Sequence, residues 1–205
     1  MSLQELGEKL TSEFEKGGLS PRVFLDRLAV LEEASRKTAA YQDPRYVPFY
    51  YHLSKFIKPQ NFIEIGFGLG FSSSCFFAGC DSVKKFLAFE TQTEEFYSPR
   101  LALANIKRFY QGEVDFYRGL FTDGDFIEKL SQTEWDLLFL NDEMSLDNYR
   151  NQLDLLWDHT KLDGLIVVNY THNSPADEAF NTFCKIVNRK PVFFKTRYGT
   201  GIVQK

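Results

Sequence analysis

The chain has 205 residues, 43% of them hydrophobic and 25% charged, with a formal net charge of −4 at pH 7. That length suits one globular unit with a sizeable core, and the acidic balance excludes the broad cationic surface that neutralising a nucleic-acid backbone requires. No apolar run reaches the ~20 residues that span a bilayer, and Cys75, Cys80 and Cys184 have neither metal-ligand nor disulfide-framework spacing, so a cytoplasmic protein without a membrane partner is expected.

In chain order, Leu3, Leu6, Leu10 and Phe14 recur at helical spacing among charged residues, which predicts an amphipathic helix over 3 to 16 that ends at Gly17-Gly18. Met1 to Leu6 lacks the basic-then-apolar order of a signal peptide. Ser20 as N-cap and Pro21 as first helical residue open a second helix, with Phe24, Leu28 and Leu31 on one stripe as far as about Lys37. Such stripes pack on the body of the protein or on a partner subunit, and these helices are the candidate homodimer contact. Asp43-Pro44 interrupts the chain, and the aromatic stretch Tyr46 to Leu53 then leads through a further helix to Pro59. That helix is read either as a wall or lid over a substrate site or as a wedge in the core. Residues 1–58 are thus expected to form a helical extension in front of a domain at 59–205.

Asn61-Phe62-Ile63-Glu64-Ile65 reads as a buried strand running into Gly66-Phe67-Gly68-Leu69-Gly70, after which Phe71-Ser72-Ser73-Ser74 opens a helix. Strand, glycine turn and helix in that order let a ligand lie close to the main chain with helix N–H groups facing it. A dinucleotide fingerprint needs G-x-G-x-x-G, and counting from Gly66 and Gly68 puts Phe71 at the third small position, which argues against NAD. The pattern Glu-x-Gly-x-Gly-x-Gly, from Glu64 to Gly70, resembles the first motif of class I S-adenosylmethionine (SAM) dependent methyltransferases. The resemblance implies that Gly66, Phe67, Gly68, Gly70 and Ser72 lie against the cofactor and that Glu64 helps to hold its amino group.

Lys85 to Glu90 is a second apolar run ending in an acid 20 residues after Gly70. A carboxylate at the end of the second strand can accept bonds from both hydroxyls of a ribose, so Glu90 supports an adenosine ligand. A helix follows from Ser98-Pro99, then a third strand from Glu113 to Arg118. Where such methyltransferases often carry an acid or amide for the adenine, this chain has Gly119-Leu120-Phe121, which implies an apolar contact at Leu120. Thr122 to Asp125 caps a short helix. Trp135 to Asp142 is a fourth buried strand with Asn141 and Asp142 at its polar, crevice-facing end. Ser145 caps the next helix, Asp163-Gly164 turns into a fifth strand at Leu165 to Tyr170, and Ser174-Pro175 opens another helix. Pro191 to Lys195 and Gly201 to Gln204 close the chain as a hairpin.

Five strand–helix alternations predict an α/β protein with a mostly parallel sheet and helices on both faces. The closing hairpin, which places one antiparallel strand in a seven-stranded sheet, is similar to the Rossmann-like class I methyltransferase fold over residues 45 to 205. The stretches 135–149 and 163–170 are also similar to small-molecule O-methyltransferases of the catechol or caffeoyl-CoA type, which hold a divalent cation on two aspartates and an asparagine. Here the matching residues are Asn141, Asn169 and Tyr170, and neutral amides attract Mg²⁺ poorly, so no catalytic metal is expected.

The resemblance implies transfer of a methyl group from SAM to a small-molecule acceptor, with His172, Asp142 and Glu143 as candidate bases at the ends of the fourth and fifth strands. His172 stands out because imidazole titrates near neutrality. A non-catalytic SAM-binding or scaffold protein acting through its N-terminal helices is the alternative.

Overall fold

Central strands buried on both faces explain the architecture of the computed structural model, which describes residues 1–16, 43, 45–91, 99–142, 145–172 and 174–205. The described elements run α1 (Leu3–Lys16), α2 (Tyr46–Ile57), β1 (Asn61–Ile65), α3 (Phe71–Gly79), β2 (Lys85–Glu90), α4 (Pro99–Ile106) and β3 (Val114–Arg118). They continue with α5 (Gly124–Ser131), β4 (Trp135–Leu140), α6 (Leu146–His159), β5 (Thr160–Asn169), α7 (Pro175–Ile186), β6 (Val192–Phe194) and β7 (Thr200–Gln204). The helix expected over residues 20 to 37 lies outside the described residues.

The seven strands form one sheet in the order β3-β2-β1-β4-β5-β7-β6. β3, β2, β1, β4 and β5 are mutually parallel, whereas β7 runs antiparallel between β5 and β6. The predicted hairpin is therefore present, with its second strand inserted next to β5. The order reverses between β1 and β4, which opens a crevice beyond their carboxyl ends where open α/β sheets bind ligands.

Period-two alternation sends Phe62, Phe86, Phe139 and Val167 to the face covered by α1 to α4. It sends Ile63, Leu87, Leu138 and Ile166 to the face covered by α5 to α7. Ser145 and Ser174 cap α6 and α7 by accepting from Asn148 N and Asp177 N, as the sequence leads one to expect. α2 is a core wedge along most of its length: Tyr46, Val47, Phe49, Tyr50 and Leu53 are buried, and Lys58 in a left-handed conformation ends it before Pro59.

One boundary differs from expectation. Asp163-Gly164 does not precede β5 but lies inside it, because the strand starts at Thr160 opposite Trp135 and shifts register before Leu165 pairs with Leu137. Asp163 takes φ +64, so the expected turn is absorbed as an irregularity within the strand. Among the described residues no helix is long and apolar enough to cross a membrane.

Phe62 sits at the centre of the aromatic layer, its ring 4.6 Å from Phe76, 4.8 Å from Phe139 and 5.0 Å from Phe86. Replacing it by alanine leaves a cavity that these rings cannot all close. Phe62→Ala is expected to lower stability by about 3–5 kcal/mol in urea unfolding at unchanged m-value.

Candidate functional site

The alternation that builds the core also assembles the crevice. On the α1–α4 face, the rows through Phe62, Ala88, Phe139 and Val167 continue two residues further into Glu64, Glu90, Asn141 and Asn169 as each strand reaches its carboxyl end. Leu140 pairs with Val168 and Asn169 pairs with Thr200. Polar side chains from four parallel strands and from the start of β7 therefore meet at one edge of the sheet.

The glycine turn fits this edge closely. The N–H groups of Gly66 and Phe67 donate to Phe89 O at 3.0 and 3.1 Å, which pins the turn to β2. Gly66 has φ +81, and a Cβ there would lie 2.7 Å from the Asn141 carbonyl and 2.8 Å from Asp142 N. Only glycine permits both that conformation and that approach. Gly68 donates its N–H to Glu90 Oε2 at 2.6 Å, so the carboxylate at the end of β2 is aimed at the turn. Gly70, in a left-handed conformation, is the N-cap of α3. Phe67 sends its ring into the core against Phe86 and Phe116; what it offers the turn is its backbone.

Glu64 is fully buried. Ser72 Oγ and Ser73 Oγ donate to its two carboxyl oxygens, and Asn141 Nδ2 donates to Oε1 at 3.2 Å. Asn141 Oδ1 accepts from Asn169 Nδ2 at 2.7 Å, and Asn169 also donates to the Tyr50 hydroxyl at 2.6 Å and accepts from Thr200 Oγ1 at 2.8 Å. One hydrogen-bonded chain thus runs from the first residues of α3 through β1, β4 and β5 to α2 and β7. Burial raises the Glu64 carboxyl to about 7; the serine and asparagine bonds oppose that rise, and the charge of Glu90 adds to it. Burial likewise holds the Tyr50 hydroxyl well above its ordinary range, so it stays a neutral phenol.

The other expected residues are distributed unevenly. Asp142 is buried at the end of β4, where Oδ2 accepts from Thr91 Oγ1 at 2.8 Å and its carbonyl accepts from the Tyr149 hydroxyl. That links the ends of β4 and β2 across β1. Leu120 is 66% exposed at the end of β3, and its N–H donates to Asp123 Oδ2 at 2.8 Å, where the Tyr117 hydroxyl also donates. His172 is exposed in the connection after β5, while Glu143 lies outside the described residues. Tyr170, just before it, has φ +64, a left-handed conformation that is unusual for a large aromatic residue and marks local strain.

Sequence reasoning singles out neither Tyr50 nor Thr200, and it notes Asn169 only as a poor metal ligand. The signal for Asn169 and Thr200 is positional, since both fall at strand ends on the crevice side. Tyr50 carries no such signal, because its partner Asn169 is 119 residues away.

A buried acid that holds its proton only in the folded state has a definite effect on stability. The unfolded chain releases that proton near the ordinary carboxylate range and the folded chain near 7, so stability falls as pH rises between the two and is constant above. Raising the pH from 5 to 8 is expected to cost about 2–3 kcal/mol through this group. Glu64→Gln should reduce that loss in guanidinium unfolding at the two pH values, and an equal loss in wild type and variant would refute the buried-acid account.

Comparison with known proteins places this geometry. No protein-family model matches the sequence, and no curated protein matches it. Solved structures do match over nearly the whole chain. An O-methyltransferase from Bacillus cereus solved in complex with SAH (S-adenosylhomocysteine) is 14% identical, with 98% of this chain and 91% of that one covered at a TM-score of 0.59. The SAH-bound methyltransferase PaMTH1 from Podospora anserina is 14% identical over 99% of this chain and 96% of its own, at a TM-score of 0.64. TomG, a Streptomyces achromogenes O-methyltransferase involved in tomaymycin synthesis and solved with SAM, is 14% identical over 86% and 91%, at a TM-score of 0.60. The strand order, the inserted antiparallel strand and these matches together establish the Rossmann-like fold of class I SAM-dependent methyltransferases.

Proposed function

We propose that the protein is a SAM-dependent methyltransferase that acts on a small-molecule acceptor without a divalent cation. The observation that carries this reading is the convergence of Glu64, the glycine turn and Glu90 at the point where the strand order reverses. The residues fit the cofactor: three glycines with positive φ at 66, 68 and 70 keep the main chain open to a ligand, and two carboxyl groups flank the turn. A carboxylate has about four acceptor positions, so the bond from Gly68 does not exhaust Glu90, which would take the ribose hydroxyls. Glu64 would face the amino group, and Leu120, with Gly66, Gly68 and Asn141, would line the nucleoside.

When bound, SAM supplies an electrophilic methyl group on a sulfonium that leaves as a neutral thioether. The chain's own contribution is then to align the acceptor and to take its proton. Asp142, Glu143 and His172 are the candidates for the proton, with Asp142 held in place by Thr91. The residues at the position of a catalytic cation in catechol-type enzymes do not fit one. The amide oxygen of Asn141 is used by Asn169 and that of Asn169 by Thr200, and neither residue is anionic. No step therefore runs through a metal. Helices up to residue 58 would wall the acceptor site, with α1 as part of a homodimer contact. The free thiols Cys75, Cys80 and Cys184 accord with a cytoplasmic location.

The same neutral closure of the crevice favours one rival, a scaffold of this fold that binds SAM or nothing. Thermal shift and turnover separate the two. At a hundred times its Kd, SAH is expected to stabilise the protein by about 2.7 kcal/mol, or roughly 5–10 °C, with NAD inert and methyl transfer unaffected by EDTA. Glu90→Ala should weaken SAH about 10- to 100-fold, the scale of hydrogen bonds to a charged group. SAH binding without methyl transfer to any acceptor in a broad small-molecule panel would favour the scaffold, and stabilisation by NAD alone would overturn the proposal.

A further inference from the structure

Positive φ at Gly66, Gly68 and Gly70 makes the turn the softest stretch of the crevice, since glycine resists rotation least of any residue. Bonds from outside must therefore hold it. Gly66 and Phe67 are pinned to β2, and Gly68 to Glu90, but none of these bonds reaches the peptide between Leu69 and Gly70. Its N–H donates to Phe67 O at 2.8 Å, within the turn itself. Its carbonyl falls one residue short of the α3 ladder, which starts with the bond from Ser74 N to Gly70 O at 2.9 Å. The donor that meets the Leu69 carbonyl comes instead from α4: it is Asn105 Nδ2, at 3.1 Å and 36 residues away. The buried face of α4 is Ala102, Asn105 and Ile106. It lies so close that a Cβ on Gly70 would stand 3.0 Å from Ala102 O and 3.2 Å from Ile106 Cγ1. Asn105 is 1% exposed, and its Oδ1 has no hydrogen-bond partner among the described residues. A leucine would fill a similar volume without that orphaned acceptor, so packing alone does not account for the amide.

We infer that Asn105 is a positioning residue for the cofactor turn: its amide keeps the Leu69–Gly70 peptide in the one orientation from which Gly70 caps α3, acting through that peptide rather than on the ligand. The inference rests on the SAM reading and goes beyond it. Held at its N–H by Phe67 and at its carbonyl by Asn105, the peptide cannot rotate. Without the second bond, the glycines at 68 and 70 on either side of Leu69 offer little resistance to rotation. Because Gly70 is the N-cap of α3, a rotated peptide also draws Ser72 and Ser73 away from Glu64. The turn then visits its binding-competent arrangement only part of the time, and affinity falls by that fraction while the bound state is unchanged. Ala102 and Ile106 set how near α4 stands to the turn; Asn105 sets which way the peptide faces.

Calorimetric titration of the full chain with SAH tests this in wild type, Asn105→Leu, Asn105→Asp and Gln152→Leu, each at pH 5.5 and 8.0 with its thermal unfolding recorded alongside. Gln152 is the control, a buried side chain of α6 on the opposite face of the sheet whose Oε1 also lacks a partner among the described residues. Asn105→Leu should weaken SAH about tenfold relative to wild type at both pH values, the effect of a competent fraction of roughly one tenth. Asn105→Asp replaces the N–H by a group that donates only while protonated, a form that burial favours. It should stay within about threefold of wild type at pH 5.5 and fall about tenfold or more below it at pH 8.0. Gln152→Leu should bind SAH as wild type does at both, whatever its melting temperature. Unchanged SAH affinity in Asn105→Leu, a pH-independent ratio of Asn105→Asp to wild type, or losses that follow melting temperature equally at residues 105 and 152 would overturn the inference while leaving the methyltransferase reading intact. Failure of wild type to bind SAH would overturn that reading and the inference with it.

Discussion

The burial of Glu64 is the constraint to which the other features of the crevice answer. A carboxyl group removed from water is tolerable only if it keeps its proton or if every acceptor position is met by a donor. Here three donors, Ser72, Ser73 and Asn141, meet the carboxyl group, and burial still raises it to about 7. Ser72 and Ser73 stand in the first turn of α3, so the acid can be satisfied only if α3 begins directly after the glycine turn. Asn141 must also reach across from β4, which requires the close approach that a side chain at residue 66 would block. The turn, the helix start and the end of β4 are therefore fixed together by one side chain.

That coupling extends outward through amides rather than charges. Asn169 bonds three neighbours: it donates to Asn141 at the end of β4 and to Tyr50 on α2, and it accepts from Thr200 on β7. Thr200 in turn shares a bond with Thr196. The backbone of Arg197, in the same connection, donates to Asp43, which also holds Arg45 at the start of α2. The inserted antiparallel strand thus helps to define the crevice, because its first residue completes the polar row and its preceding loop anchors the helix above. A shift of α2 would break the Tyr50 end of the chain and be felt at Glu64 through two amides.

What the sequence reveals follows from how local each piece of geometry is. Glu64, the three glycines and Ser72 lie in one strand–turn–helix unit, where spacing reports the fold directly, and Glu90 is readable because a parallel neighbour strand ends one helix later. Strand alternation extends the reading to Asn141 at the end of β4. The same local logic misplaces the turn at Asp163-Gly164, since nothing near those residues reports that Thr160 will pair with Trp135. It assigns Phe67 to the cofactor by its place in the motif, whereas packing takes the ring into the core against Phe86 and Phe116. Tyr50 is the extreme case. Its stretch reads as aromatic wedge or lid, and the ring packs as a wedge 5.3 Å from Phe139 while the hydroxyl belongs to the polar chain.

The amides at 141 and 169 and the acid at 64 are best understood as parts of one solution. An aspartate at 141 would lose the N–H that Glu64 accepts and would place a second negative charge against a group that burial already drives toward neutrality. An aspartate at 169 would leave the Tyr50 hydroxyl and the Asn141 carbonyl oxygen without the donor they share. Carboxylates at these two places become tolerable only when a cation is bound between them, and the chain would then depend on that ion to fold its crevice. With amides, the same edge of the sheet is complete without any ion.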